Sequence, residues 1–175
     1  QGGNYSVLNR YLRRRRWPPD ADLDRKADEL DGLFRGAPAL ASPALLYRGF
    51  ADWRFATQVQ LGDRVVDLAF VSTSASRAVG NFYSRRHALV EEDLADAVLL
   101  QISVPEGACV LRLPACAAPA GEHEVLLPRE TEMVVESEET LGSPFRALSA
   151  MIYLDAAEPH VEVRLTSARA RERAL

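Results

Sequence analysis

Two glutamates stand directly before an apolar run. Glu122 and Glu124 occupy positions i and i+2, and Val125 to Leu127 follow them as the predicted start of a buried strand. In an extended segment alternate side chains lie on one face, so both carboxylates are expected to point the same way. Neighbouring like charges repel, which a fold usually avoids unless a cation or a developing positive charge is held there. Two ordinary glutamates at a solvated strand entrance would give the same pattern.

Two further stretches place polar side chains in apolar surroundings. The run LLYRGF, residues 45–50, sets Arg48 inside an apolar and aromatic strand, and FVSTSAS, residues 70–76, ends another strand in a cluster of hydroxyls. A buried guanidinium is costly unless an anion pairs with it. The arginine, the hydroxyl cluster and the two glutamates follow one another in this order along the chain.

These three motifs, in this order, resemble the Arg-Ser-Glu class of mono-ADP-ribosyltransferases, the arginine-modifying branch found in bacterial toxins, secreted effectors and vertebrate ecto-enzymes. The resemblance runs from about Leu45 to Leu154 and includes LGDRVVDLAFVSTS, VLLQISVPEGA, EVLLPR and IYLD. It implies an α+β fold, with a core of two packed β-sheets and a short N-terminal helical segment. The chain has Ala69 and Glu130 where the family usually has glycine.

The resemblance also implies roles for individual residues. NAD would be the substrate, and attack at its nicotinamide ribose passes through an oxocarbenium-like state that a nearby carboxylate stabilises. Glu124 would take that role, Arg48 would pair with the NAD phosphates, and Ser72 would bond Glu124 and fix its rotamer. Thr73 and Ser74 would support the loop below the nicotinamide. The implied cofactor-binding residues are Arg48, Gly49, Ser72, Thr73 and Ser74.

The second carboxylate bears on the acceptor. A guanidinium is protonated at neutral pH and is a poor nucleophile, so Glu122 would hold it and remove a proton during attack. The implied catalytic residues are Arg48, Ser72, Glu122 and Glu124. The expected function is transfer of ADP-ribose from NAD to an arginine of a host protein, by a secreted bacterial effector acting in the host cytoplasm. The alternative is a catalytically silent protein of this fold that binds a host protein or an arginine-bearing segment.

Composition excludes several classes of protein. With 175 residues, 47% hydrophobic and 26% charged, the chain suits one globular domain and not a disordered segment. A net charge of -4 argues against general nucleic-acid binding, and no apolar run is long enough for a membrane span. Cys109 and Cys116 lack zinc-ligand spacing, so we expect reduced, buried thiols and no metal. We also expect a monomer.

The pattern of the chain predicts an N-terminal basic arm and helical segment at residues 1–44 and a catalytic core at residues 45–175. Asp20 or Asp22 is expected to cap a helix that runs to Phe34. A second helix is predicted from Ser76 to Ser84, with Val79, Phe82 and Tyr83 facing the core. Strands are predicted at Val65 to Val71, Val98 to Val104, Val110 to Leu113 and Glu124 to Val135, followed by an acidic turn at Glu136 to Glu139 and strands near Phe145 to Leu154 and Val161 to Leu165.

The basic run Arg13 to Arg16 precedes a stiff Trp-Pro-Pro segment. Because two carboxylates on one face would suit a guanidinium, this tethered run is a candidate pseudosubstrate, automodification site or part of an acceptor-binding surface. A solvated basic patch, or pairing with the acidic residues at Glu136 to Glu139, is the simpler interpretation.

Overall fold

The computed structural model describes residues 3–51, 59–90, 97–114, 123–140, 146–152 and 162–164. Helices in these ranges are α1 (Gly3–Arg13), α2 (Ala21–Gly36) and α3 (Arg77–Val90). Strands are β1 (Ala44–Ala51), β2 (Arg64–Asp67), β3 (Val71–Ser74), β4 (Ala97–Val104), β5 (Leu111–Arg112), β6 (Glu124–Leu127), β7 (Thr131–Thr140), β8 (Arg146–Ile152) and β9 (Glu162–Arg164). Helices combined with largely antiparallel strands confirm the predicted α+β class.

The strands follow the hydrogen-bonded order β5-β6-β3-β1-β4-β8-β7-β2-β9. Neighbours are antiparallel except for β4 with β8 and β2 with β9, which are parallel. Side chains from both halves of this order, such as Leu100 of β4 and Met133 of β7, enter one buried cluster. The two predicted layers therefore pack on a common core, and the β4–β8 pairing joins them.

A second buried cluster lies beneath the N-terminal helices. Leu8, Tyr11 and Leu12 of α1 are each at most 5% exposed, and they pack with residues of α2 and with Phe70 and Leu126. The ring of Phe34 stacks on that of Phe70, with 5.7 Å between centroids. The N-terminal segment thus packs directly against the strands that carry the hydroxyl and glutamate motifs.

Helix α2 begins and ends as its sequence predicts. The Asp20 carboxylate caps it by accepting the backbone N–H groups of Asp22 and Leu23, both at 3.0 Å. Helix α1 was not predicted, because its sequence is largely polar and only Leu8, Tyr11 and Leu12 form its buried apolar face. No helix among the described residues is long and apolar enough to cross a bilayer.

The predicted strand from Val65 to Val71 is wrong, since it is divided between β2 and β3. The Asp67 side chain accepts the backbone N–H of Ala69 at 3.0 Å, a local bond that competes with the ladder. After this bend the chain changes partners. Strand β2 pairs with β7 and β9, whereas β3 pairs with β1 and β6.

The predicted strand from Glu124 to Val135 is likewise two strands. Pro128 lacks a backbone donor and Glu130 has a left-handed backbone with φ 60°, so a turn separates β6 from β7. The acidic turn predicted at Glu136 to Glu139 is also wrong, because these residues continue β7 and pair with β8 through Ser137, Glu138 and Glu139.

Two burial predictions are wrong. Phe82 is 56% exposed, because α3 turns Gly80 and Ser84 toward the sheet, while Val79 and Tyr83 are half-buried. Cys109 is exposed rather than buried, since it alternates with the buried residues Ala108 and Val110. Cys116 lies outside the described residues.

Candidate active site

Arg48 lies in the middle of β1 with its side chain only 14% exposed. Its Nη1 is 3.4 Å from the Ser72 carbonyl oxygen, its Nη2 is 3.6 Å from Asp67 Oδ2, and its Cζ is 5.7 Å from the centre of the Phe50 ring. Burial lowers the pKa of Arg48 to about 10, although the Asp67 carboxylate opposes this and the Arg13 guanidinium adds to it. Among the described residues, this partly buried cation has no close bidentate partner. Such a group suits an incoming anion.

Asp67 brings a second arginine to the same place. Its carboxylate is fully buried and accepts two bonds from Arg13 of α1, from Nε at 3.0 Å and from Nη2 at 2.7 Å. Arg13 and Arg48 therefore face one carboxylate, which leaves a net positive charge. Sequence reasoning missed this group. The signal was a charged residue inside the apolar run VVDLAF, where burial demands a cationic partner.

The basic run at the end of α1 is not a free arm. Arg13 pairs with Asp67 and Arg16 with Asp24, the latter at 3.0 Å, so two of its arginines bond aspartates of the fold. Removing residues 1–19 would also remove the buried residues of α1. The contacts of Arg13 and Arg16 therefore do not support the hypothesis that this run occupies the glutamate pocket.

Ser72 and Glu124 meet across the β3–β6 pair. The register sets Ser72 opposite Leu126 and Ser74 opposite Glu124, so the two side chains lie diagonally on adjacent strands. Ser72 Oγ donates to Glu124 Oε1 at 2.6 Å, which is the contact that the family resemblance implied. Because the Ser72 carbonyl also accepts from Arg48, Ser72 connects the arginine and the glutamate.

The side-chain hydroxyls of Thr73 and Ser74 bond protein groups. Thr73 is 4% exposed and donates to the Val125 carbonyl at 2.6 Å, which ties β3 to β6. Ser74 Oγ accepts the backbone N–H of Ser76 at 3.0 Å just before α3 begins. These bonds fit the predicted role of Thr73 and Ser74 in supporting the loop of the site, and their predicted contact with the cofactor stays a prediction.

Gly49 lies where α3 crosses β1. A Cβ at this position would collide with the carbonyl oxygen of Gly80 and the backbone nitrogen of Ser84. The glycine is thus required for packing, and it allows α3 to hold β1 closely beside Arg48. Its predicted contact with the cofactor stays a prediction.

The first glutamate of the motif lies outside the described residues, so the position of Glu122 stays a prediction. His123 is exposed and has a left-handed backbone with φ 42°. Glu124, which follows it, is half-buried at the start of β6. The described half of the motif therefore places one carboxylate at a strand end, where Ser72 connects it to the partly buried Arg48.

A family model settles the relationship that this geometry suggests. The model of the ADP-ribosyltransferase exoenzyme family matches residues 1–144. The chain belongs to this family. NAD is the substrate from which these enzymes take ADP-ribose. No curated protein is significantly similar to the chain by sequence.

Solved structures of exoenzymes share the fold. Vis, a toxin from Vibrio splendidus, aligns with a TM-score of 0.73 and 19% identity over 94% of this chain and 74% of its own. Exoenzyme S from Pseudomonas aeruginosa, solved with human 14-3-3 protein beta and bound to carba-NAD, aligns with a TM-score of 0.69 and 16% identity over 99% of this chain and 78% of its own. A structure of Vis with agmatine aligns with a TM-score of 0.72 and 20% identity over 94% of this chain and 76% of its own. At these identities the likeness shows the fold.

The structure accommodates Ala69 and Glu130, the two residues that stand where the family usually has glycine. Glu130 adopts the left-handed backbone that glycine takes most easily, and its N–H donates to the Asp67 carbonyl at 2.8 Å. Ala69 is fully buried and has no positive φ, so its methyl group packs in the second cluster. The bond between Ser72 and Glu124 forms with both replacements present.

Proposed function

We propose that this exoenzyme transfers ADP-ribose from NAD to an arginine side chain of a protein. The observation that carries the proposal is the 2.6 Å bond from Ser72 Oγ to Glu124 Oε1, together with the approach of Arg48 to the carbonyl of the same serine. Arg48 supplies a partly buried cation for phosphate, and Glu124 supplies an oriented carboxylate for the positive charge that develops at the ribose when NAD is cleaved.

In the proposed reaction Arg48 binds the pyrophosphate, because its planar fork matches two phosphate oxygens. The Glu124 carboxylate, held by Ser72, bonds the ribose 2′-hydroxyl and stabilises the positive charge that develops at the anomeric carbon. The bond from that carbon to nicotinamide breaks, and nicotinamide leaves with the bonding electron pair. A guanidinium nitrogen of the acceptor forms the new bond, and its proton passes to Glu122.

Arginine is the proposed acceptor for two reasons. The first is Glu122, which supplies a second carboxylate two residues before Glu124. The second is agmatine, the compound bound in a Vis structure, which ends in a guanidinium group. The proposed partner is a host protein, reached by a secreted toxin that acts in the host cytoplasm. The departures at Ala69 and Glu130 leave the Ser72–Glu124 bond in place, so we favour an active enzyme over a silent binding protein.

The test separates the two glutamates. We expect Glu124→Ala to abolish both NAD hydrolysis and arginine transfer, and Glu122→Ala to keep hydrolysis but lose transfer. Glu132→Ala is the matched control, because this glutamate pairs with Arg64 at 3.4 Å on the β2–β7 pair. Labelled NAD with agmatine as acceptor measures transfer, and nicotinamide release measures hydrolysis. Equal loss of both activities in the two site variants, with melting temperatures unchanged, would reject the division of roles.

A further inference from the structure

Asp67 is a fully buried carboxylate that the proposed reaction does not use. Taking a carboxylate out of water costs several kcal/mol unless good partners replace its hydration. Here Oδ1 accepts from Arg13 Nε and from the Ala69 N–H, both at 3.0 Å, and Oδ2 accepts from Arg13 Nη2 at 2.7 Å. The carboxylate is therefore satisfied chiefly by a residue of another element, helix α1.

The backbone at Asp67 is also fixed. Its carbonyl accepts the Glu130 N–H at 2.8 Å, and the residue pairs with Thr131 at the end of β2. Side chain and main chain together tie Asp67 to α1, to the bend before β3 and to the β6–β7 turn. We therefore expect the Asp67 carboxylate to keep its position when a ligand binds.

Two guanidiniums converge on this fixed charge. Arg13 and Arg48 are 16% and 14% exposed, so their mutual repulsion is only weakly screened by solvent. Arg13 makes a closed bidentate pair with Asp67, whereas Arg48 stays at 3.6 Å. Asp67 thus attracts Arg48 without fully occupying its donors, and among the described residues no other side chain pairs with them, so they suit an anion.

We propose that Asp67 is a positioning residue for the NAD pyrophosphate, which holds the Arg13 and Arg48 forks in fixed register and so links helix α1 to substrate binding. The inference rests on the proposed function, because it assumes that a phosphate-bearing ligand meets Arg48. Without Asp67 the two cations lose their common anchor, and each fork must be ordered when the ligand binds.

The test compares ligands with and without phosphates. Asp67→Asn keeps the size of the side chain and removes its charge. We expect affinity for ADP-ribose to fall on the order of tenfold or more, as for loss of charge-assisted bonding. Inhibition by nicotinamide, which carries no phosphate, should stay unchanged. A general structural defect would weaken both ligands.

Asp31→Asn is the matched control. Asp31 of α2 makes a similar bidentate pair with Arg129, whose Nε donates to Oδ1 at 3.1 Å and whose Nη2 donates to Oδ2 at 2.7 Å. This variant should lose stability without losing affinity for ADP-ribose. If Asp67→Asn does not fold, Arg13→Gln tests the same ion pair from its other side, because Arg13 is partly exposed and pairs with Asp67. The affinity for ADP-ribose should then fall, and inhibition by nicotinamide should stay unchanged.

Three outcomes would overturn the inference. Unchanged or tighter ADP-ribose binding by Asp67→Asn would mean that Asp67 only screens charge. An equal loss in Asp67→Asn and Asp31→Asn would mean that it is a structural residue only. Wild-type protein that binds neither NAD nor ADP-ribose would overturn the proposed function as well, which distinguishes that failure from the first two.

Discussion

Replacing Ser72 by alanine removes one hydroxyl and leaves the strand intact. The lost contact is the bond to Glu124 Oε1 at 2.6 Å. A hydrogen bond to a charged group contributes about 1.5–3 kcal/mol, and the exposed position of Ser72 favours the lower end. If holding Glu124 in its catalytic orientation stabilises the transition state by about 1.4 kcal/mol more than the bound substrate, loss of the bond lowers kcat by about tenfold. Stability should change little, because no buried surface is lost.

Thr73→Val is the neighbouring control. Its hydroxyl bonds the Val125 carbonyl in a buried position, so the variant leaves an acceptor unsatisfied and should lose about 1–3 kcal/mol of stability. Its kcat at a temperature where it stays folded should fall less than that of Ser72→Ala, because the Thr73 hydroxyl bonds the Val125 carbonyl and not Glu124. Nicotinamide release gives kcat and calorimetry gives stability. Full kcat in Ser72→Ala, or an equal rate loss in Thr73→Val, would refute the idea that Ser72 orients the catalytic glutamate.

Two further substitutions test the surroundings of the site. Arg48→Lys keeps the charge but cannot form a bidentate phosphate contact, so NAD affinity measured by calorimetry should fall about tenfold; unchanged affinity would make Arg48 structural. Gly49→Ala should destabilise the fold by about 3 kcal/mol or more, because its Cβ meets backbone atoms of α3, whereas Gly36→Ala has open space and should be neutral or stabilising in thermal melts.

Much of the site could be predicted because its chemistry is local. Arg48 stands out as a charge in an apolar strand, and the hydroxyl cluster and glutamate motif each mark a strand end. The diagonal contact between Ser72 and Glu124 followed from the family resemblance. It could not follow from spacing alone, since the two residues are 52 positions apart in sequence. Helix α2 was predictable from its cap and apolar spacing.

The errors have a common physical cause. Apolar runs such as VVDLAFV look like one strand, and only side-chain competition at Asp67 and a change of pairing partner divide them. The exposure of Phe82 depends on how closely α3 approaches β1, which the glycine contacts determine and the helical period does not. The partnership of Arg13 and Asp67 joins residues 54 positions apart, so local patterning could not reveal it.

Strand β3 has a different hydrophobic core on each side of it. Phe70, the residue directly before this strand, belongs to the cluster under the N-terminal helices, whereas Val71 belongs to the cluster between the sheet layers. Strand β6 repeats this alternation, with Leu126 in one cluster and its neighbour Leu127 in the other. Because neither cluster can lose its packing without exposing a strand of the other, we expect the helices and the sheet layers to melt in a single cooperative transition. Destabilising α1 would then also destabilise strand β3, which carries Ser72, in the protein without substrate.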